Sequence, residues 1–216
     1  MSVDSAPPPP PNSRAARRAA FLAVATETFV EFGYERTSLD DIVARAGGSK
    51  STIYANYGNK EGLFRAILQD RVDMVIGEAR QEDAAPDVSD QSIRARLTRY
   101  GSGLIRGLCH PSNDVVWRLL LSSTWQFPDI AEQHYKNGPK VAVSDVQAIL
   151  QKALDKDEIR PVDPRRGAEI FLGSMRHYDV LIGRLLGIAK PPPEDEQKAI
   201  VRDAVAIFLD GLETKA

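Results

Sequence analysis

Residues 37–57, TSLDDIVARAGGSKSTIYANY, decide the fold of this 216-residue chain. Ser38 with Asp41 three residues later is a capping box that uses the shorter acid, and Leu39, Ile42, Val43 and Ala46 then form one apolar stripe of a short helix. Gly47-Gly48 breaks that helix. Ser49 caps a second one, Lys50 to Tyr57, whose inward pair is Ile53 and Tyr57 at i, i+4. Two short helices joined by a glycine turn are the helix-turn-helix pattern, in which the second helix enters the DNA major groove N-terminus first. With Ile53 and Tyr57 turned inward, Lys50, Ser51, Thr52, Tyr54 and Asn56 are left outside. These side chains are hydrogen-bonding groups and one cation, suited to base edges and phosphates. The helix N-terminus adds free N–H groups and partial positive charge.

Outward from this stretch, nearly every segment repeats its apolar positions at three and four. Leu22, Ala25, Phe29 and Phe32 line a first helix from Arg14 that stops at Gly33. A long helix from Lys60 carries Leu63, Phe64, Ile67, Leu68, Val72 and Val75. Further helices are expected around Ile93 to Cys109, Val115 to Gln126, up to Gly138-Pro139, and through Val146 to Leu154. Asp163-Pro164 is an N-cap followed by proline at the first helical position, opening a helix expected to run to Leu186, and a last helix spans Glu194 to Leu212. No alternating β-branched run argues for a sheet. The expected class is all-α with nine or ten helices, Pro7 to Pro11 lying in a low-complexity tail over 1–13.

Composition bounds the function. Apolar residues are 43% and charged residues 27%, ordinary globular values that argue against general disorder. A formal charge of -2 excludes a chain basic overall. Yet nine Lys and Arg against seven acids fall between Asn12 and Val72, leaving 19 against 23 elsewhere, the sign that DNA binding requires. Cys109 is a single cysteine, so there is no disulfide framework or Cys-rich zinc site, and Cys109-His110 makes no metal pair. No apolar run reaches the roughly 20 residues of a membrane span, and the N-terminus has no apolar signal region. A cytoplasmic protein without cofactor or metal is expected. Gly101-Ser102-Gly103 lacks the strand and spacing of a nucleotide loop or nucleophile elbow, and no acid/base constellation argues for an enzyme.

Arg14, Arg17 and Arg18 sit at the start of the first helix, where the helix dipole disfavours cations. A phosphate or minor-groove contact would offset that cost, and a merely solvated helix start is the other reading. Trp117, Trp125, Phe127, Phe171, Met175 and Tyr178, with His177 beside them, each read singly as core. As a set they are candidates for an effector cavity between helices.

The stretch FVEFGYERTSLDDIVARAGGSKSTIYANYGNKEGLF (29–64) resembles the DNA-binding domain of the TetR/AcrR family of transcriptional regulators, over about residues 18 to 68. Gly48 departs from it, taking a turn position usually held by Val. The resemblance implies DNA contacts from Ser38, Lys50, Thr52, Tyr54 and Lys60. LSSTWQFPDIAEQHYKNGPK (121–140) and DEIRPVDPRRGAEIFLGSM (157–175) are similar to the C-terminal domain of the family's AefR-like branch. That implies a helix-turn-helix domain over 14–60 and an effector-binding and dimerisation domain over 61–216. It also implies a homodimer formed by the last two long helices, where Ile182, Leu185, Leu186, Val205, Phe208, Leu209 and Leu212 supply apolar surface. The expected function is a repressor that binds a pseudo-palindromic operator in double-stranded DNA and is released by a small, largely apolar effector. The alternative is the same fold acting as an activator or binding DNA independently of an effector.

Overall fold

The computed structural model describes residues 14–84, 91–123, 127–175, 183–184 and 186–211. The expected tail over 1–13, and Trp125, His177, Tyr178, Ile182, Leu185 and Leu212, lie outside the described residues. Among the described residues there are ten α-helices and no strand, as an all-α reading requires.

The helices are α1 (Arg14–Phe32), α2 (Leu39–Ala46), α3 (Lys50–Tyr57), α4 (Lys60–Asp83), α5 (Ile93–Cys109), α6 (Pro111–Ser123), α7 (Pro128–Asn137), α8 (Pro139–Leu154), α9 (Pro164–Ser174) and α10 (Glu194–Asp210). The caps read from sequence are made as expected. Ser38 Oγ accepts from the Asp41 amide, Ser49 Oγ from that of Thr52, and the Asp163 carboxylate from that of Arg166. Each satisfies a helix-start N–H that has no partner within its own helix.

Compactness divides the chain otherwise than at 60/61. One unit comprises residues up to Arg71 together with Val115–Ala131; the other comprises Val72–Asp114 and everything from Glu132 on. The physical reason lies in the first core. Phe29, Ile42, Ile53, Leu63, Phe64 and Ile67 of α1–α4 are fully or almost fully buried in it, and they are not its only members. Val116, Leu119 and Leu120 of α6 and Ile130 of α7 complete it. Burial of apolar area is the main favourable term, so a unit of this size recruits whatever amphipathic helices close its core.

The second unit has its own core of Leu97, Tyr100, Val146, Leu150, Phe171, Val205 and Leu209, with α8 packed on α9 and on α5, and α10 on α5 and α9. Within it α5 approaches α4 closely through glycines. A Cβ on Gly103 would lie 2.5 Å from the Glu78 carbonyl oxygen, and one on Gly107 would lie 3.0 Å from Val75 Cα. A polar link joins three helices there: Tyr100 Oη donates to Asp145 at 3.1 Å, and Arg80 grips both oxygens of the same carboxylate at 2.8 and 2.9 Å. Burial and the Asp145 charge push the Tyr100 hydroxyl far up from its usual range, so it stays a neutral donor.

Candidate nucleic-acid interface

The first unit presents α3 as the sequence suggests. Ile53 is buried and Tyr57 half-buried, stacked on Phe21 with ring centroids 6.0 Å apart. Lys50, Ser51, Thr52, Asn56 and Tyr54 (54% exposed) are all outside, and Ser38 is exposed at the start of α2. The exposed groups are organised among themselves. Ser49 Oγ lies 2.6 Å from Ser51 Oγ and 3.0 Å from Thr52 Oγ1, and Asn56 Nδ2 donates to the Thr52 carbonyl at 2.7 Å. Lys50 Nζ sits 2.7 Å from Asp40 Oδ2 of α2, a pairing that holds the Lys50 ammonium protonated above its usual range. Asp40 was not legible as a partner, because opposed charges ten residues apart meet only once the turn is folded.

The turn is set by Gly47 (φ 73°) and Gly48 (φ 95°), both in the left-handed region. A side chain at Gly48 would meet nothing within 4 Å, so backbone conformation rather than space favours glycine there. A β-branched residue at that φ would be strained. At the start of α2, Asp41 accepts from both the Ser38 amide (2.8 Å) and its hydroxyl (2.6 Å), and these bonds hold its carboxyl below the ordinary 3.8.

Two expected contacts have other engagements. Lys60 points into the unit, donating to the carbonyls of Tyr34 (3.0 Å), Glu35 (3.3 Å) and Thr37 (3.2 Å), with its Nζ 4.4 Å from the centroid of the Tyr34 ring. Arg18 is paired with Asp70 of α4 at 2.8 Å, which explains a cation near a helix start without DNA. Arg14 and Arg17 are exposed.

The described members of the expected effector set fall in both units. Trp117 and Phe127 pack against the first unit's core, Phe127 edge-on to Tyr34 at 5.0 Å, whereas Phe171 and Met175 are buried in the second. There Met175 Sδ and Phe171 Cζ lie 3.0 and 3.6 Å from where a Gly101 Cβ would stand. An aromatic or methionine at helical spacing reads the same as core and as cavity lining. The expected apolar interface changes too. Val205 and Leu209, each 1% exposed, are interior to the second unit; the expected Leu186 is exposed (68%), and facing outward from α9 and α10 are Ile170 (58%) and Ile207 (76%). These two flank a groove of about 680 Å³ between α9 and α10, also lined by Ser174, Ala199, Ile200 and Phe208.

A short polar helix presented N-terminus first behind a tight glycine turn, with a sealed core beneath it, defines a helix-turn-helix DNA-binding protein. Residues 21–67 match the model of bacterial regulatory proteins of the tetR family, and residues 95–211 match that of the AefR-like transcriptional repressor C-terminal domain. The chain belongs to the TetR family of bacterial regulatory proteins. It is 36% identical over 97 residues to the HTH-type transcriptional repressor ComR of Escherichia coli (strain K12), an alignment covering 45% of this chain and 44% of ComR. The HTH-type transcriptional activator FasR of Mycolicibacterium smegmatis is 34% identical over 84 residues, 39% of this chain and 38% of FasR. RutR of Escherichia coli (strain K12) aligns over 91% of both chains at 24% identity. Among solved structures, a TetR-family regulator from Mesorhizobium loti superposes with a TM-score of 0.74, at 20% identity over 94% of this chain and 100% of that one. The flavonoid-responsive regulator FrrA gives 0.71 at 21% identity, with the same coverage. Among the described residues no helix is long and apolar enough to cross a membrane.

Proposed function

We propose that this protein is a cytoplasmic repressor that binds a pseudo-palindromic operator as a homodimer and is released by a small, largely apolar effector. The observation that carries the DNA half is the exposed face of α3, with Lys50, Ser51, Thr52, Tyr54 and Asn56 on one side and Ile53 buried on the other. Lys50, Thr52 and Tyr54 are assigned to bases and phosphates in the groove, and Ser38, Arg14 and Arg17 to flanking phosphates. Homodimerisation is assigned to the α9–α10 groove. Ile170 and Ile207 are large apolar side chains exposed on their own unit, and closed two-fold dimers are the default assembly of such faces.

Effector release is assigned to α4, a single helix whose first turns belong to one unit and whose last turns belong to the other. A ligand favouring a displaced α4 shifts the pair of recognition helices away from the roughly 34 Å spacing of one DNA turn. By linkage, operator DNA then weakens that ligand by the same factor. Identity to an activator keeps a second reading open, in which the same fold assists transcription.

The test is selection of duplexes from a random library by the purified protein, followed by titration of Thr52→Ala and Lys50→Met. A motif with dyad symmetry is expected, with Thr52→Ala losing about 1–3 kcal/mol on it. A motif without a dyad, or parental affinity for both variants, would overturn the assignment. Deletion of the gene should raise transcription from the promoter carrying the selected motif; a fall would favour the activator.

A further inference from the structure

We propose that Asp40 is an internal competitor for DNA phosphate, a carboxylate that occupies the Lys50 ammonium in the free protein and so restrains the affinity of the α3 face. The inference rests on the DNA-binding reading of α3, leaves Lys50 its place in the complex, and adds what holds it beforehand. Lys50 Nζ lies 2.7 Å from Asp40 Oδ2, with the two side chains 47% and 71% exposed.

Folding alone does not ask for this pair. Lys50 is the first residue of α3, where the helix dipole disfavours a cation, and the first turn of α3 holds no acid. The carboxylate comes instead from α2, across the Gly47-Gly48 turn. Of the two acids in the first turn of α2, Asp41 is used inside its own helix, accepting from the Ser38 amide and hydroxyl. Asp40 takes no part in that cap and reaches α3. An ion pair this exposed adds little to stability. Its effect falls on DNA binding, because Lys50 is the single cation of α3 and a carboxylate beside the helix repels the phosphates that the helix approaches.

The size of the restraint follows from populations. Lys50 reaches a phosphate only in molecules whose pair is open, so apparent affinity is reduced by the fraction that is open. The pair and the repulsion are both surface Coulomb effects, screened as the Debye length falls from about 10 Å at 0.1 M salt to about 3 Å at 1 M. Removing the carboxylate therefore tightens binding most at low salt, which steepens the plot of log affinity against log salt.

The test is a double-mutant cycle of Asp40→Asn and Lys50→Met, read by fluorescence anisotropy with a mixed-sequence duplex several helical turns long, over a range of salt concentrations. Asp40→Asn should bind roughly two- to fivefold tighter than the parent near 0.1 M salt, the size of an exposed ion pair, and the gain should shrink as salt rises. In the Lys50→Met background the same substitution should gain clearly less, because only repulsion is left to relieve. Asp40→Ser removes the carboxylate a second way and should match Asp40→Asn, whereas Asp40→Glu keeps the charge and should bind like the parent. Thermal melts of these proteins should agree within a few degrees, which separates a changed affinity from a changed fold. The proposal is overturned if neither Asp40→Asn nor Asp40→Ser tightens binding, or if the gain is the same in the Lys50→Met background, which is repulsion alone. Parental binding by Lys50→Met in both backgrounds would overturn the α3 assignment and the proposal with it. A loss by Lys50→Met without a gain by Asp40→Asn would strike the competitor and leave that assignment standing.

Discussion

Replacing Gly103 by Ala probes the tightest helix approach of the second unit. The new Cβ would lie 2.5 Å from the Glu78 carbonyl oxygen, 2.7 Å from Ala79 Cα and 2.8 Å from the Glu78 carbonyl carbon. All three are backbone atoms of α4, so no side chain can swing aside. Ordinary contact begins at 3.4 Å, so α4 and α5 must separate locally by about 0.9 Å. Overpacking of this kind costs typically about 1–3 kcal/mol, against which alanine gains up to about 1 kcal/mol in helix propensity. Tyr100 and Arg80 share the Asp145 carboxylate across the same helices, so their bonds lengthen with the shift. The net expectation is a loss of about 1–2 kcal/mol, or roughly 2–8 °C in melting temperature at this chain length. Gly77, also on α4, is the control: a Cβ there meets nothing within 4 Å, and Ala should raise stability by up to about 1 kcal/mol. Melts by circular dichroism at one protein concentration test both, since self-association would make the midpoint concentration-dependent. A Gly103→Ala protein as stable as the parent, or a Gly77→Ala protein destabilised as much, would refute the packing argument.

Ser38→Ala should cost about 1 kcal/mol by removing the α2 cap. It should also flatten the acid limb: Asp41 is held below 3.8 by Ser38, so its stabilisation is complete above that pH and lost below it, as urea melts from pH 7 to 3 will show. Burial holds the His134 imidazole below its ordinary 6.5, so its contribution is complete above pH 6.5 and declines as pH falls; His134→Leu should remove that part of the slope between pH 7 and 5. Ile170→Glu with Ile207→Glu should sediment as a folded monomer, whereas Val205→Glu, placing a charge in the core, should fail to fold.

The elements that sequence alone resolves are those whose cause is local. Ser38, Ser49 and Asp163 mark helix starts because a capping oxygen and its N–H are three residues apart at most. The inward pair of α3 follows from spacing for the same reason. What stayed hidden depends on residues distant in the chain. An apolar stripe on α10 does not say whether α5 or a second copy covers it, and α5 covers Val205 and Leu209. Trp117 and Phe127 share a composition with Phe171 and Met175 but belong to a different core, closed by α6 and α7. The Lys60 engagement needs carbonyls 23 to 26 residues earlier, which no periodicity reports. At Gly48, where the family's usual residue is valine, the backbone takes a positive φ that no periodicity reports.

The polar side chains of α3 are already one another's partners. Ser49, Ser51 and Thr52 share hydroxyl bonds, Asn56 leans back on the Thr52 carbonyl, and Lys50 is tethered to Asp40. If this face reads DNA as proposed, contact would be an exchange, in which internal bonds are surrendered as external ones are made. A matching base edge or phosphate would restore what was given up, while a mismatched one would leave an opened hydroxyl or an ammonium cut off from its carboxylate with nothing in return. Such a surface would discriminate by the penalty it imposes on wrong sequences, because its resting arrangement is already satisfied.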